Sequence, residues 1–348
     1  MFGDTTDDAQ HETPPDGGGR EAPLREVLRQ ASARLAVAGI DRPGVDASVL
    51  MAHVLEIDAS ELRRRTLLGH TFPVEAAEWF APLLTRRCAR EPLQHLTGRA
   101  PFRHLELSVG PGVFVPRPET ETVAELAIGE ARRARDGLTG RNGEAAAEAG
   151  GRSAEPPGAA VDAAPVVIDL CTGSGAIALS VADEVPGVTV HAVELSEEAA
   201  IWARGNIAAT GLPVTLHVDD VTGDLATLSD LRGRVAVVVS NPPYIPPDAV
   251  PVDVEVAEHD PHMALYGGGD DGLLVPKAVI EAAAVLLRPG GLLVMEHASV
   301  QSDALLAVLA QDGRWSEIAA HDDLTGRPRA VSARCSEQRS ARLLDCSP

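Results

Sequence analysis

Residues 166–179 read VVIDLCTGSGAIAL. The first five residues are typical of a buried strand, the next five of a tight glycine-rich turn, and the last four of the start of a helix. Such a turn lets the backbone approach a ligand closely and points the N–H groups of the helix at it. It lacks the full Gly-x-Gly-x-x-Gly spacing of dinucleotide binders, and no Gly-Lys-Ser/Thr follows, so alone it identifies no ligand.

Strand and helix patterns alternate from residue 165 onward, which is typical of a parallel α/β fold. Strands are expected at 166–170, 189–194, 214–218, 235–240, 291–295, 315–319 and 329–334. Leu287-Arg288-Pro289-Gly290-Gly291 supplies a helix stop and a turn before the fifth of these strands. The stretch 120–134 is expected to form a helix before the first strand.

Polar side chains follow four of the predicted strands, at the point where each strand ends. These residues are Asp169, Glu194, Asp220 and Asn241. Glu194 follows Gly173 by 21 residues, where a nucleotide-binding α/β fold sets an acid to accept hydrogen bonds from ribose hydroxyls. Asp220 could accept one from an adenine amino group, although any of these residues could also be a solvated strand end. Because the carboxyl ends of parallel strands meet at one edge of a sheet, the four predict a single site.

Asn241-Pro242-Pro243-Tyr244 directly follows the apolar fourth strand. The two prolines fix φ at about −65° and remove two N–H groups, which leaves the carbonyls of the turn free to accept from a substrate NH2. The side-chain oxygen of Asn241 can accept another hydrogen bond, and Tyr244 can stack on a planar amide or base. The turn therefore predicts a site that orients an amide or exocyclic amine for methylation. A strand-ending turn without chemistry is the alternative.

Further segments strengthen this interpretation jointly. They are PLQHLTG at 92–98, FVPRPETE at 114–121, ALYGG at 264–268 with DGL at 271–273, and DLTGRPR at 323–329. Together with the turns at 171–175 and 241–244, they resemble the class I S-adenosylmethionine-dependent methyltransferases. More narrowly, they resemble the HemK/PrmC family of protein-(glutamine-N5) methyltransferases. The similarity covers most of residues 24 to 334.

The resemblance implies a Rossmann-like, seven-stranded, mostly parallel sheet, with a small N-terminal helical bundle and a linking β-hairpin. It implies direct methyl transfer to the glutamine of the Gly-Gly-Gln loop of peptide-chain release factors. The implied catalytic residues are Asn241, Pro242, Pro243 and Tyr244. The implied S-adenosylmethionine-binding residues are Asp169, Cys171, Thr172, Gly173, Ser174, Gly175, Glu194, Asp220, Val221 and Asn241.

Three positions depart from the family pattern. Cys171 stands where most members have glycine, so we expect a backbone conformation there that is open to L-residues, with the thiol as a small packing group. Val221 stands where some relatives have an aromatic residue beside the adenine. Glu296-His297-Ala298 replaces the Glu-Ile-Gly that often ends the fifth strand, and His297 is interpreted as a core or rim residue.

The sequence also predicts how the chain is divided. Expected are a disordered N-terminus (1–20), a helical substrate-recognition domain (21–91), a hairpin linker (92–118), a methyltransferase domain (119–334) with a flexible low-complexity insertion (136–164), and a C-terminal tail (335–348). In the helical domain, apolar stripes predict two of the buried helix faces. The first stripe is Leu24, Val27, Leu28, Ala31 and Leu35, and the second is Val49, Leu50, His53 and Val54.

Composition restricts the class of partner. The formal net charge of −21 argues against a nucleic-acid backbone as the main partner and suits a basic protein surface. No apolar run reaches the roughly 18 residues of a membrane helix, and the acidic N-terminus is no secretory signal. Four cysteines without paired spacing are expected to be reduced thiols, and no metal site is indicated. We therefore expect a cytoplasmic monomer.

Three other functions remain open from the sequence. A ribosomal-protein glutamine is an alternative acceptor within the same chemistry. An N6-adenine methyltransferase of nucleic acid also uses Asn-Pro-Pro-Tyr, but it would need a basic groove and a base-recognition domain. A non-catalytic sensor of S-adenosylmethionine would have no use for an intact 241–244 turn.

Overall fold

The structure is a computed structural model that describes residues 21–148 and 164–336, and for residues 138–148 its backbone alone. The chain divides into two compact units, with the boundary between Leu96 and Thr97. The predicted disordered N-terminus (1–20), residues 149–163 of the predicted insertion and residues 337–348 of the predicted tail lie outside the described residues.

The first unit is helical. Its helices are α1 (Leu24–Val37), α2 (Pro43–Val54), α3 (Ala59–Leu67) and α4 (Val74–Cys88), and α5 (Leu93–Thr97) ends at the boundary. The predicted stripe on α1 does face the core, because Leu24, Ala31 and Leu35 are all buried. They pack in one apolar cluster with residues of α2 and α4, such as Leu50 and Phe80. Burial of this cluster stabilises the unit.

The stripe predicted on α2 is only partly correct. Leu50 is fully buried, whereas Val49 and His53 are exposed. The helix turns Asp46 inward instead, where its carboxylate accepts a hydrogen bond from Arg87 Nε of α4 at 2.7 Å. A buried charge is tolerated when it is paired and hydrogen-bonded. The apolar pattern alone therefore gave the buried face of this helix only in part.

The second unit begins with a small antiparallel hairpin of β1 (Arg99–Phe102) and β2 (Leu105–Ser108), followed by α6 (Thr120–Glu148). The strands of the large sheet are β3 (Val166–Leu170), β4 (Thr189–Glu194), β5 (Val214–Val218), β6 (Val235–Ser240), β7 (Leu287–Glu296), β8 (Trp315–Asp322) and β9 (Pro328–Cys335). Its remaining helices are α7 (Ala176–Glu184), α8 (Glu197–Thr210), α9 (Val254–His259), α10 (His262–Leu265), α11 (Leu274–Leu286) and α12 (Ser302–Gln311), with 3₁₀ turns at Ala226–Leu231 and Ser299–Gln301.

The large sheet has the strand order β5-β4-β3-β6-β7-β9-β8. The first five strands in this order are parallel, and β9 runs antiparallel to both β7 and β8. The predicted seven-stranded, mostly parallel sheet is thus confirmed. Every residue of β6 is buried, as expected for a central strand with cover on both faces.

Four elements, α6, β7, β8 and β9, have different bounds from those predicted. Strand β8 ends at Asp322 instead of residue 319, and β9 is one residue longer at each end. Helix α6 continues to Glu148, whereas the sequence suggested an end near residue 134 and a flexible segment from 136. Residues 135–148 contain no proline, and their three isolated glycines, at 137, 140 and 143, weaken a helix without ending it. Strand β7 begins at Leu287, and its Arg-Pro-Gly-Gly segment forms an irregularity where the register with β6 shifts.

The order of the strands determines where a ligand can bind. From β3 the chain moves to β4 and β5 on one side, and it then returns to place β6 on the other side of β3. Open α/β sheets bind ligands in the crevice beyond the carboxyl ends of the two strands at such a reversal. Here those two ends lead into the turns at 171–175 and 241–244.

Candidate active site

The turn after β3 is built on left-handed backbone. Gly173 and Gly175 have φ of 58° and 85°, and Gly175 is the N-cap residue of α7. The N–H of Thr172 donates to the carbonyl of Val193 on β4 at 2.9 Å, which fixes the turn against the neighbouring strand. The 171–175 turn therefore exposes backbone and the start of a helix at the crevice, as the sequence predicted.

Cys171 also has a positive φ, 60°. The expectation of a conformation readily open to L-residues is therefore wrong, because this region favours glycine and costs other residues about 1 kcal/mol or more. Burial, followed by the negative charge of Glu194, raises the pKa of the Cys171 thiol above its usual range. The thiol stays protonated near neutral pH, which agrees with a packing role and not with a nucleophilic one.

Asp169 is fully buried at the end of β3. Its Oδ2 accepts hydrogen bonds from the Thr172 hydroxyl at 2.5 Å and from the N–H of Ala178 at 3.1 Å. Its Oδ1 is buried and has no hydrogen-bond partner among the described residues. Burial raises the pKa of Asp169 to about 7, against the opposing effect of these two hydrogen bonds. Such an unpaired buried oxygen is suited to a ligand that brings a donor or a positive charge.

Glu194, at the end of β4, is held by two backbone groups. Its Oε2 accepts from the N–H of Gly173 and its Oε1 from the N–H of Ser196, both at 2.8 Å. Burial raises the pKa of Glu194, while these backbone hydrogen bonds lower it. The carboxylate is thus tied directly to the glycine turn. Each of its oxygens keeps a further lone pair for a hydroxyl group.

Asp220 and Val221 follow β5. Asp220 Oδ1 accepts from the N–H of Thr222 at 2.8 Å, and the preceding N–H of Asp219 donates to the carbonyl of Glu194 at 3.1 Å. This places Asp220 at the same edge as Glu194. The side chain of Val221 belongs to the hydrophobic core and is 8% exposed, so its contact with a nucleotide stays a prediction.

The Asn241 side chain is anchored by its nitrogen. Its Nδ2 donates to the hydroxyl of Thr120, the first residue of α6, at 3.2 Å. This directs Oδ1 away from Thr120 and leaves it free to accept. No donor of the described residues forms a hydrogen bond with the carbonyl of Pro242 or Pro243. The carbonyl of Tyr244 differs from the prediction, since Gln301 Nε2 donates to it at 2.7 Å.

Tyr244 is connected to a buried acid. Its hydroxyl lies 3.4 Å from Oε1 of Glu296, the last residue of β7, which is 2% exposed. Burial raises the pKa of Glu296 to about 7, whereas the Thr120 hydroxyl, the charge of Arg329 and the Tyr244 hydroxyl lower it. Burial also raises the pKa of Tyr244, so the phenol stays neutral and acts as a hydrogen-bond donor.

A second loop, which includes Leu265 and Gly267, is hydrogen-bonded to the end of the 241–244 turn. The N–H groups of Tyr244 and Ile245 both donate to the carbonyl of Leu265, at 3.1 and 2.8 Å. The N–H of Gly267 donates in return to the carbonyl of Ile245 at 3.0 Å. A Cβ on Gly267 would lie 1.9 Å from the carbonyl oxygen of Gly272, so the packing of this loop requires glycine. This explains why an Ala-Leu-Tyr-Gly-Gly segment accompanies the Asn-Pro-Pro-Tyr turn.

Four residues that hold the site received no site role from the sequence: Thr120, Asn206, Glu296 and Gln301. Asn206 of α8 donates to the carbonyls of Ser174 and Ser108 at 2.9 and 3.0 Å, which ties the glycine turn to β2. Thr120 lies in the 114–121 signature, and Glu296 ends a strand as the other acids do, so a signal for both was present.

His297, next to Glu296, is fully buried. Its Nδ1 lies 2.9 Å from the carbonyl of Ala298, and burial lowers its pKa. It is therefore a neutral core histidine, in agreement with the simpler interpretation of the sequence.

The residues at this edge are compatible with S-adenosylmethionine. Asp169 and Glu194 accept hydrogen bonds from Thr172 and Gly173 of the glycine turn. Burial raises the pKa of the Cys171 thiol most, and the charges of Glu194, Asp169 and Asp220 raise it further. A cluster of acids favours a cationic ligand, and this cofactor carries an ammonium and a sulfonium group. The unpaired Asp169 Oδ1 supplies an acceptor for a donor on that ligand.

The raised pKa of Asp169 leads to a first prediction, made for the cofactor-free protein. The unfolded side chain loses its proton near its ordinary pKa of 3.8, whereas the folded one keeps it up to about pH 7. Between these values the unfolded state binds fewer protons, so the contribution of Asp169 to stability falls as pH rises. Because asparagine does not titrate, we expect Asp169→Asn to gain stability relative to the wild type over this range.

Urea unfolding at about pH 4.5 and about pH 7.5 measures this difference. Asp183→Asn, at an exposed aspartate of α7, is the control and should show no such trend. A stability difference for Asp169→Asn that is the same at both pH values would mean that Asp169 ionises normally in the fold.

Comparison with known proteins agrees with the geometry. Residues 26–98 match the family model described as PrmC N-terminal domain, and residues 160–257 match the one described as Methyltransferase small domain. A protein named Release factor glutamine methyltransferase from Bifidobacterium longum is 42% identical, over 89% of this chain and 99% of its own length. Proteins of the same name from Streptomyces coelicolor and Mycolicibacterium smegmatis are 44% and 41% identical, each over 89% of this chain and 97% of their own length.

The relatives extend across both units of the chain, and the segments that match them carry the glycine turn, the strand-end acids and the 241–244 turn. These are the features from which the site is built. The chain therefore belongs to the release factor glutamine methyltransferase family.

Proposed function

We propose that the protein transfers a methyl group from S-adenosylmethionine to the side-chain amide nitrogen of a protein glutamine. The acceptor is the glutamine of the Gly-Gly-Gln loop in peptide-chain release factors, so the modification acts on translation termination. The observation that carries the chemistry is the anchored Asn241 amide. Its Nδ2 donates a hydrogen bond to the Thr120 hydroxyl, so its Oδ1 points away from Thr120. The carbonyls of Pro242 and Pro243, which accept no hydrogen bond from the described residues, follow directly in the chain.

An amide nitrogen is a poor nucleophile because its lone pair is delocalised into the carbonyl. Bound S-adenosylmethionine supplies a methyl group on a positively charged sulfur. The chain positions the substrate: Asn241 Oδ1 and the Pro242 carbonyl accept hydrogen bonds from the two N–H groups of the glutamine amide, and they stabilise the positive charge that develops on its nitrogen. Tyr244 packs against the amide plane. Orientation of this kind can supply roughly 7–11 kcal/mol.

The amide proton becomes acidic once the nitrogen has been alkylated and passes to water, so the chain needs no strong base for this reaction. Asp169 shapes the cofactor turn and accepts from the cofactor with its unpaired oxygen. The turn formed by Cys171, Thr172, Gly173, Ser174 and Gly175 faces the amino acid portion. The ribose hydroxyls bind Glu194, and Asp220 with Val221 borders the adenine.

The domain roles follow from the same proposal. The helical domain at 21–91 recognises the protein substrate, the hairpin linker at 92–118 joins it to the methyltransferase domain at 119–334, and the enzyme works as a cytoplasmic monomer.

No helix among residues 21–148 and 164–336 has the length and apolar character to cross a bilayer. The net charge of −21 favours a basic protein surface over a nucleic-acid backbone as partner.

Labelling with S-adenosylmethionine that carries a radioactive methyl group tests the proposed acceptor. We expect label on purified release factors, and none on release factors whose Gly-Gly-Gln glutamine has been replaced by alanine. Ribosomal proteins and nucleic acid are included as competing acceptors. Label on both forms of the release factor, or only on ribosomal protein or nucleic acid, would reject the proposed acceptor.

A further inference from the structure

The side chain of Gln301 bridges three separate segments next to the 241–244 turn. Gln301 ends the 3₁₀ turn that precedes α12, and it is 5% exposed. Its Nε2 donates to the carbonyl of Tyr244 at 2.7 Å and to the carbonyl of Asp271 at 3.0 Å. Its Oε1 accepts from the N–H of Ala298, just beyond β7, at 3.2 Å. The NH2 group and the oxygen of this amide are therefore all used inside the protein.

These three partners fix the direction of the Gln301 amide. The oxygen and nitrogen of a glutamine amide are nearly equal in size, so hydrogen-bond partners and not shape decide how it points. A rotation by about 180° would direct the NH2 group at the N–H of Ala298 and the oxygen at two carbonyls. Neither arrangement forms a hydrogen bond, and unpaired buried polar groups are costly. The NH2 group of Gln301 must therefore face Tyr244.

The carbonyl of Tyr244 depends on this NH2 group. No other donor of the described residues forms a hydrogen bond with it. The backbone of Gly272 lies against the same oxygen, since a Cβ on Gly272 would overlap with it. This packing limits the approach of water from that side, so Gln301 supplies the hydrogen bond that the oxygen requires.

The peptide group between Tyr244 and Ile245 is thus held at both ends. Its carbonyl accepts from Gln301, and its N–H, which belongs to Ile245, donates to the carbonyl of Leu265 at 2.8 Å. The N–H of Tyr244 donates to the same Leu265 carbonyl at 3.1 Å. These contacts fix the backbone on both sides of the Tyr244 Cα, and with it the direction in which the ring leaves the turn. Of the groups that make them, only Gln301 acts through a side chain.

We propose that Gln301 is a positioning residue for methyl transfer, which orients the ring of Tyr244 through the Tyr244 carbonyl. Gln301 does not touch the substrate and exchanges no proton with it. The Tyr244 ring packs against the amide plane of the bound glutamine, so a rotated peptide group would move the ring away from that plane. The proposal rests on the proposed function, because the position of the ring matters only to a planar substrate amide.

Gln301→Glu tests the proposal directly, because the new side chain has the same shape and its ability to donate depends on pH. An ionised carboxylate can only accept, whereas a protonated one has an O–H group that can donate to Tyr244. Burial raises the pKa of such a carboxyl, so the proton is retained at about pH 6.5 and lost at about pH 9. We expect kcat to stay within about threefold of the wild type at the lower pH and to fall about 30-fold at the higher one.

The titratable groups beside Gln301 do not produce this trend. Its partners lie on segments that carry Tyr244, Asp271 and His297. Burial raises the pKa of Tyr244 and lowers that of His297, and a backbone N–H lowers that of Asp271, so these three keep their charge between the two pH values. Burial raises the pKa of Glu296, beside the Tyr244 hydroxyl, to about 7. The kcat of each variant is therefore compared with that of the wild type at the same pH.

Gln301→Met and Gln311→Glu complete the comparison. Methionine has nearly the length of glutamine but no donor, so Gln301→Met should lose about tenfold in kcat at both pH values. Gln311→Glu makes the same chemical change at the exposed end of α12, and it should stay within about twofold of the wild type. The dissociation constant for S-adenosylmethionine should change by less than about twofold in all three variants.

Turnover is divided by the folded fraction, which circular dichroism measures at each pH. A loss in Gln301→Glu that is equal at both pH values would refute the proposal. Wild-type kcat in Gln301→Met would refute it as well.

A measurement without any acceptor separates this proposal from the proposed function. Tyr244 and Ile245 form the only Tyr-Ile pair in the sequence. Protein with ¹³C at its tyrosine carbonyls and ¹⁵N at its isoleucines therefore gives a single carbonyl–amide correlation in NMR spectra, which reports on the hydrogen bond from Gln301.

We expect this correlation to shift in Gln301→Met, to shift in Gln301→Glu more at about pH 9 than at about pH 6.5, and to stay in place in Gln311→Glu. An unchanged correlation in Gln301→Met would overturn the proposal even if release factors are methylated. Failure of release-factor labelling alone would reject only the proposed acceptor.

Discussion

We expect Asn241→Ala to lower the turnover of methyl transfer about 10²- to 10³-fold at saturating S-adenosylmethionine. The change removes the acceptor that orients the substrate amide, and it leaves intact the glycine turn and the strand-end acids assigned to the cofactor. Its effect should therefore appear in kcat, whereas the dissociation constant for S-adenosylmethionine should change by less than about threefold. Calorimetric titration of the cofactor and a single-turnover assay measure the two quantities separately.

Asp248→Ala provides the control for this experiment. Asp248 lies on the surface four residues beyond Tyr244, in the same loop. Its replacement should leave turnover within about twofold of the wild type, since exposed changes away from a site have small effects. Near-native turnover in Asn241→Ala would show that the amide of Asn241 does not orient the substrate. Equal losses in turnover and cofactor affinity would assign Asn241 to cofactor binding instead.

Gly267→Ala should be a strongly destabilising single-methyl change in the second unit. A Cβ at this position would lie 1.9 Å from the carbonyl oxygen of Gly272 and 2.7 Å from that of Pro243, and both belong to the backbone. One of the two loops must move, so we expect a loss of about 3 kcal/mol or more in the free energy of unfolding. Because Pro243 belongs to the site, turnover should fall about 100-fold in the fraction that remains folded.

The neighbouring Gly268→Ala separates steric overlap from backbone strain. Gly268 has a φ of 71°, and a Cβ there would meet only the side chain of Leu274, at 3.4 Å. Its replacement costs the strain of a left-handed alanine, about 1 kcal/mol, without moving the carbonyl of Pro243. Urea unfolding and turnover of both variants test the contrast. If Gly267→Ala is no more damaging than Gly268→Ala, the packing between the two loops is looser than the structure indicates.

The sheet and the cofactor edge could be predicted because their signals are local. Continuous apolar runs mark β3 and β6, left-handed glycines mark the turn between β3 and α7, and polar residues follow the strands directly. The bounds of β3, β4, β5 and β6 agree with the prediction to the residue. The parallel topology then brings Asp169 and Glu194 to one edge, without any further information from the sequence.

The support of the site could not be predicted in the same way, because it depends on contacts between distant parts of the chain. Thr120 and Asn241 are 121 residues apart, and Gln301 and Tyr244 are 57 apart. A single sequence contains no pattern that pairs such positions. The residues of the site could thus be predicted from the sequence. The residue that donates to the Tyr244 carbonyl and the one that accepts from the Asn241 amide could not.

Pairing across elements also explains one error in the rest of the fold. Part of the buried face of α2 was missed because Asp46 is buried together with its partner Arg87, which lies on another helix. Cys171 was expected to have a negative φ because the residue type indicates only which backbone dihedral angles are preferred. It does not show which angles the surrounding fold imposes. The φ of 60° at Cys171 is held by a turn that hydrogen-bonds to β4 on one side and continues into α7 on the other.

The position of β9 in the sheet has a consequence for biosynthesis. This strand lies between β7 and β8 in the sheet, and the charge of its Arg329 lowers the pKa of Glu296, which burial raises. Its Arg334 forms an ion pair with Glu130 of α6, 204 residues earlier in the sequence. During translation, the segments that bind the cofactor leave the ribosome long before β9 does. A nascent chain that has already formed β3 to β6 therefore lacks the last support of its reaction centre. We therefore expect methyl transfer to require the β8–β9 hairpin.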